Sequence, residues 1–253
     1  MVFLNGSVRV LIPPWEVCMQ SKTVQPASSR KRVRMASRVL RTLLVTAALT
    51  RIFVRPRVIG RKNLDQPGAF IVASGHRSSF DPIPLFALIV KYRADVSFLA
   101  MAELFKNRIL GRILRWFGVI PVYRNSERAS EATDQGILFL LAGRVIAIFI
   151  GGGITRADQR EEAKGGTTYM AFATGAPVVP VAVVRTERVK RPGSKPWQWG
   201  WRKKYVIAIG EPIPVPDGAS TDSTEAAKKM RTEFTARIME AIEQLEQDAL
   251  RRL

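Results

Sequence analysis

The chain has 253 residues, enough to bury a sizeable core, and its 47% apolar and 24% charged content excludes wholesale disorder. Forty Lys and Arg against 21 Asp and Glu leave a net charge of +19, which suits a polyanion: nucleic acid, an anionic membrane surface or a phosphorylated substrate. The single cysteine, Cys18, excludes an intrachain disulfide and a thiolate metal cluster, and the single histidine, His76, excludes a multi-histidine metal site.

Positive charge is concentrated early. Between Val17 and Leu64 there is no acidic residue and there are twelve basic ones. Residues 1–35 read as a basic flexible arm. Residues 36–56 read as an amphipathic helix, with Val39, Leu40, Leu43, Leu44, Ala47 and Ala48 at three-and-four spacing and Arg38, Arg41 and Arg51 at the border. Such a helix either lies in a membrane interface or packs on the protein's own core. No stretch reads as a membrane span. The longest charge-free run, Gly165–Val184, is broken by Gly175, Pro177 and Pro180. No clear signal peptide is visible, since Arg9 interrupts the first apolar run, so a peripheral or monotopic place at the cytoplasmic face is expected.

Residues 57–253 then alternate strand and helix, which predicts one α/β domain with a mixed, largely parallel sheet flanked by helices. Strands are expected at 69–73, 96–100, 119–122, 145–149, 178–184 and 205–209. Helices are expected from Pro82 to Tyr92 with Asp81 as N-cap, over Glu103–Phe117 and Ser126–Ala142, and near Thr167–Thr174. A last helix carries Met230, Phe234, Ile238, Ile242 and Leu245 on one face, behind a capping box of Asp222 and Glu225.

Three places offer chemistry. His76 follows a buried strand, and Asp81 lies five residues on, close enough for its carboxylate to fold back onto the imidazole. That pair is either a base held in one tautomer or a loop histidine beside a helix cap. The neighbouring Ser74, Ser78 and Ser79 lack a nucleophile elbow and read as loop residues satisfying backbone. Gly151-Gly152-Gly153-Ile154-Thr155-Arg156 ends another strand. It is either a phosphate cradle of backbone N–H groups, hydroxyl and guanidinium, or a flexible turn. Arg124 ends a short strand and could face the same phosphate, or be an ordinary surface arginine. The stretch Arg185–Tyr205 interleaves Trp197, Trp199 and Trp201 with basic residues. This suits a membrane–water interface or single-stranded nucleic acid, but motifs of specific nucleic-acid recognition are lacking.

Taken together these segments resemble the glycerolipid acyltransferases typified by 1-acyl-glycerol-3-phosphate acyltransferase. Four ordered blocks carry the likeness across about residues 36–215: His76 with Asp81 as H-x4-D; Gly118, Ile120, Pro121, Val122 and Arg124; Phe149 to Arg156; and Ala176-Pro177-Val178-Val179-Pro180-Val181. The third block departs from the family pattern, because Ile150-Gly151 stand where a Pro-Glu pair is usual. Met101 also stands where many members carry a lysine before Glu-Leu.

The resemblance implies transfer of a fatty acyl chain from acyl-CoA or acyl carrier protein to the free hydroxyl of lysophosphatidic acid, giving phosphatidic acid. Another lysolipid or glycolipid acceptor, or a low-activity lipid-binding member, are the alternatives. It implies His76 as general base held by Asp81, and Arg124, Gly152, Gly153, Thr155 and Arg156 around the acceptor phosphate. Neither metal nor redox cofactor is expected, and the expected partners are the lysophospholipid, the acyl donor and an anionic membrane surface.

Overall fold

The computed structural model describes residues 54–124, 127, 128, 130–154, 163–188 and 203–252. They hold seven strands: β1 (Val54–Ile59), β2 (Phe70–Ser74), β3 (Ser97–Met101), β4 (Ile120–Val122), β5 (Val145–Phe149), β6 (Val178–Val184) and β7 (Lys203–Ile209). Five α-helices accompany them: α1 (Pro82–Ile89), α2 (Arg108–Trp116), α3 (Glu131–Leu141), α4 (Gly166–Thr174) and α5 (Glu225–Arg251). The strands form one sheet in the order β1-β7-β6-β2-β5-β3-β4. The five strands from β6 to β4 are parallel, β7 is antiparallel to β6, and β1 is parallel to β7. This is the mixed, largely parallel sheet that the alternating pattern predicts.

The centre of the sheet is apolar on both faces because helices cover both. Every residue of β2 is buried. Its period-two alternation sends Phe70 and Val72 to one face and Ile71 and Ala73 to the other. The first face packs under α1 with Leu85, Leu88, Ile89, Phe80 and Phe98. The second packs under α3, α4 and α5 with Leu140, Met170, Phe172, Phe234, Ile238 and Ile242.

Strand direction determines what shares an end of the molecule. The parallel strands β2 to β6 all point their C-termini the same way. Because β1 and β7 run opposite to them, Val54 and Lys203, which pair in register, stand at that same end.

Several boundaries differ from the sequence expectation. Residues 54–56, expected to close the amphipathic helix, begin β1; the run Val54–Ile59 is rich in β-branched residues, and Pro56, which lacks an N–H, is tolerated on an edge strand. The single helix expected over Glu103–Phe117 is a 3-10 turn over Ala102–Lys106 followed by α2. Asn107 breaks it: its backbone is extended, and its Oδ1 accepts from the N–H groups of Ile109 (3.1 Å) and Leu110 (3.0 Å). A strong capping residue overrides continuous periodicity here. Helix α3 starts at Glu131 rather than Ser126, and α1 stops at Ile89 rather than Tyr92. Thr224, not Asp222, caps α5, accepting from the Ala227 N–H at 3.3 Å. The basic arm over 1–35, the helix residues 36–53, Thr155, Arg156 and the tryptophan-rich stretch 189–202 lie outside the described residues. Among the described residues no helix is long and apolar enough to cross a membrane.

Candidate functional site

The carboxyl end of β2, at the centre of the sheet, carries the histidine. Ser74 pairs in register with Phe149 at the end of β5, so the loops after the two strands start side by side. The His76 ring stacks on Phe149 with centroids 4.1 Å apart and planes 20° apart. Its Nδ1 lies 2.9 Å from Asp81 Oδ2. A carboxylate oxygen can only accept, so Nδ1 bears the hydrogen and Nε2 bears the lone pair. The imidazole is 14% exposed while Asp81 is fully buried, so the ring reaches solvent and the carboxylate does not.

Asp81 holds that orientation through several donors. Its Oδ2 also accepts from the backbone N–H groups of Arg77 and Ser78, each at 2.8 Å, and its Oδ1 accepts from the Thr186 hydroxyl. The residue sits at the N-cap position of α1 as expected, but it makes no side-chain cap bond. The carboxylate is turned back into the loop, so the expected capping role is replaced by support of the histidine. The usual capping donors do not compete for the carboxylate, since Pro84 at the third helical position has no N–H and the Ile83 N–H donates to the Phe80 carbonyl at 3.1 Å, which frees it for that use.

Two supports were not visible in the sequence. Thr186 is fully buried just beyond β6, the other neighbour of β2. Arg185 before it adopts a left-handed backbone with φ 67°, a conformation that costs a non-glycine residue about 1–3 kcal/mol and turns the chain so that Thr186 meets Asp81. Arg77 grips Glu246 of α5 with two nitrogens, at 2.9 and 3.3 Å, which fastens the loop to the last helix. The serines behave as loop residues. Ser74 Oγ donates to the Gly75 carbonyl at 3.0 Å, and Ser78 Oγ accepts from the Phe80 N–H at 3.2 Å.

The second group forms around the loop after β5. The Gly152 N–H donates to the Phe149 carbonyl at 2.9 Å, which folds the glycine run back beside the histidine's stacking partner. Gly152 has φ 69°, and a Cβ there would begin 2.8 Å from Arg124 Nη2 and 3.6 Å from Lys164 Cδ. Glycine is therefore favoured by conformation, and its bare Cα lets the Arg124 guanidinium close in on the turn. Gly153 beside it faces open space. The sequence-predicted Arg124, Gly152 and Gly153 thus come together, and Lys164, unassigned from sequence, joins them. Its backbone N–H donates to the Ile150 carbonyl at 2.9 Å, bringing the chain back to the glycine run before α4 begins. A lysine just before Gly165-Gly166 at a helix start was the available signal. Among the described residues neither Arg124 nor Lys164 forms an ion pair with a carboxylate. Thr155 and Arg156 fall outside the described residues.

Ile150, where the family's proline is usual, is buried, and its N–H donates to the Ser74 carbonyl at 3.0 Å. Proline would lose that bond. Three or more His, Cys, Asp or Glu residues placed to hold a metal do not occur among the described residues.

A base with a fixed lone pair, one strand away from two cations around an open glycine turn, can deprotonate a hydroxyl on a molecule whose anionic group is held nearby. A family model described as Acyltransferase matches residues 55–184. A protein named 1-acyl-sn-glycerol-3-phosphate acyltransferase from Bacillus subtilis (strain 168) is 29% identical over 191 residues, covering 76% of this chain and 90% of that one. One of the same name from Borreliella burgdorferi is 28% identical over 130 residues, 51% of each chain. The fold is also that of the crystal structure of the 1-acyl-sn-glycerophosphate (LPA) acyltransferase PlsC from Thermotoga maritima. The TM-score is 0.59 at 24% identity, covering 85% of this chain and 83% of that one.

Proposed function

The chain belongs to the glycerolipid acyltransferase family, and from that premise we propose that it acylates the free hydroxyl of 1-acyl-glycerol-3-phosphate to give phosphatidic acid. His76 Nε2 takes the hydroxyl proton as the oxygen attacks the carbonyl carbon of an acyl thioester. The tetrahedral intermediate collapses, the C–S bond breaks, and the imidazolium returns the proton to the departing thiolate. A positioned base of this kind is worth about 10²–10⁴ in rate. Asp81 holds the tautomer and balances the imidazolium charge while it exists. Arg124 and Lys164, with Gly152 and Gly153 between them, hold the acceptor phosphate, a role that the family resemblance also gives to Thr155 and Arg156. The proton is taken and returned by one imidazole, so the reaction as written needs neither metal nor redox cofactor. The thioester is carried by coenzyme A or by acyl carrier protein. The observation that carries the reading is the placing of the His76–Asp81 pair and the Arg124–Gly152–Lys164 cluster at the loops that follow two neighbouring strands.

The enzyme works as a peripheral or monotopic protein at the cytoplasmic face. Support comes from charge and connectivity. The acid-free segment up to Leu64 enters the sheet at Val54, and the tryptophan-rich stretch enters at Lys203, both at the end that carries His76.

Thiol release tests the reaction. Palmitoyl-CoA and palmitoyl–acyl carrier protein are each offered with lysophosphatidic acid, with a lysolipid lacking a terminal phosphate and with a glycolipid. Turnover is expected with lysophosphatidic acid in preference to the others. Preference for a phosphate-free acceptor would overturn the acceptor assignment, and turnover of none would favour a lipid-binding member, which the missing carboxylate at Gly151 supports.

A further inference from the structure

Helix α2 turns an apolar stripe away from the rest of the protein. Gly111 is its one buried residue, while Ile109 is 76%, Ile113 44% and Leu110 39% exposed, and Leu104 in the turn before is 38% exposed. Gly111 seats the helix, since a Cβ there would begin 2.4 Å from the Phe105 carbonyl oxygen. At helical spacing Ile109, Ile113 and Trp116 share one face, and Arg108, Arg112 and Arg115 line the face beside it. These arginines and Lys106 are exposed, and no acidic residue lies between Glu103 and Glu127. Strand β3 runs directly into the turn at Ala102, so the turn and the start of α2 stand at the end of the sheet that carries His76.

We propose that α2 docks the domain on an anionic lipid bilayer, with Ile109 and Ile113 entering the headgroup–acyl boundary and the arginines pairing with lipid phosphates. The proposal rests on the lipid-acceptor reading above, and it adds a docking surface independent of the N-terminal segment. Adjacent apolar and basic stripes match a bilayer, which offers an apolar interior and an anionic surface in adjacent layers. Other occupants meet a charge conflict. A second copy packed α2 to α2 would set arginines against arginines. The chain's own residues 36–56 carry Arg38, Arg41, Arg51 and Arg55 with no acid, and would do the same.

The test is flotation of the full chain with vesicles of phosphatidylcholine alone or with 30% phosphatidylglycerol. Ile109→Glu with Ile113→Glu is expected to lower the bound-to-free ratio by at least ~10-fold. Arg108→Gln, Arg112→Gln and Arg115→Gln together are expected to lower it by at least ~10-fold on the anionic vesicles only. Leu138→Glu with Leu141→Glu, equally exposed on α3, is expected to leave it unchanged. Thiol release with a monomeric short-chain lysophosphatidic acid should stay at the parental rate in all three variants. Unchanged flotation of the isoleucine variant would overturn the proposal. So would loss of its monomeric turnover together with flotation, or a parental dimer that the variant converts to monomer. Absence of thiol release in the parent would instead count against the acceptor reading and leave the docking result standing.

Discussion

The two loops of the site are held in contrasting ways. Asp81 is fully buried and accepts from an imidazole, two backbone N–H groups and a hydroxyl, while Arg77 ties the same loop to α5. Arg124 and Lys164 instead flank a left-handed glycine, and neither is paired with a carboxylate among the described residues. A base must present one lone pair in one direction, so its orientation is fixed by many bonds. A phosphate is attracted by charge from several directions, so long cationic side chains can close round it without being fixed beforehand. Damage to the first loop should therefore appear in kcat, and damage to the second in KM for the acceptor.

The largest effect is expected at His76. His76→Ala should lower kcat by at least ~10²-fold with KM and Tm little changed, because no other imidazole exists in the chain. Asp81→Asn should be milder but should act on kcat too. Near-parental turnover by His76→Ala would remove the base from the mechanism.

Arg124→Ala tests the other side. Loss of a charge-assisted bond to phosphate should raise KM for lysophosphatidic acid by ~10–10²-fold, with Lys164→Ala somewhat weaker. A fall in kcat at unchanged KM would show that these cations serve the transition state rather than the bound acceptor.

Gly151→Glu replaces the carboxylate that the family pattern places on this loop. Restoring the neighbouring proline as well is disfavoured, since the Ile150 N–H is already bonded to the Ser74 carbonyl. The single change should raise kcat/KM for lysophosphatidic acid by ~10-fold, the worth of one charge-assisted hydrogen bond. An unchanged value would mean that the loop works in its glycine form.

Thr186→Val removes one of the donors to Asp81. A fall in kcat of ~5-fold is expected, with Thr186→Ser near the parent and KM unaltered. The smallest effect concerns Tyr205, whose buried hydroxyl has no hydrogen-bond partner among the described residues and whose pKa burial pushes up. Tyr205→Phe should leave activity unchanged and stabilise the fold by up to ~1 kcal/mol in chemical denaturation, since an unmet polar group is removed from the core.

Periodicity and order reveal much of the frame. The β5 and β6 boundaries are as the sequence predicts, because short apolar runs between turn residues have few other ways to be buried. Local competition explains the misses. Asn107 cuts a periodic stretch in two through its own side chain, and Thr224 displaces Asp222 by standing two residues nearer the helix, directly before its first residue. The apolar positions Ile109 and Ile113 were legible as a helical face, but periodicity does not say whether such a face is covered, and here it is exposed.

The sequence by itself determined the chemistry available: one imidazole, a carboxylate five residues on, a glycine run, and arginines at strand ends. These are properties of residue type and short spacing, which survive without knowledge of the fold. Only the tertiary structure decided which of them meet. Thr186 is distant from Asp81 in sequence, Lys164 from Arg124 and Glu246 from Arg77, and each pair is brought together by strand order and by a loop or helix that returns. Neither propensity nor hydrophobic period encodes such long-range pairings, because they follow from which strand ends are neighbours in the completed sheet.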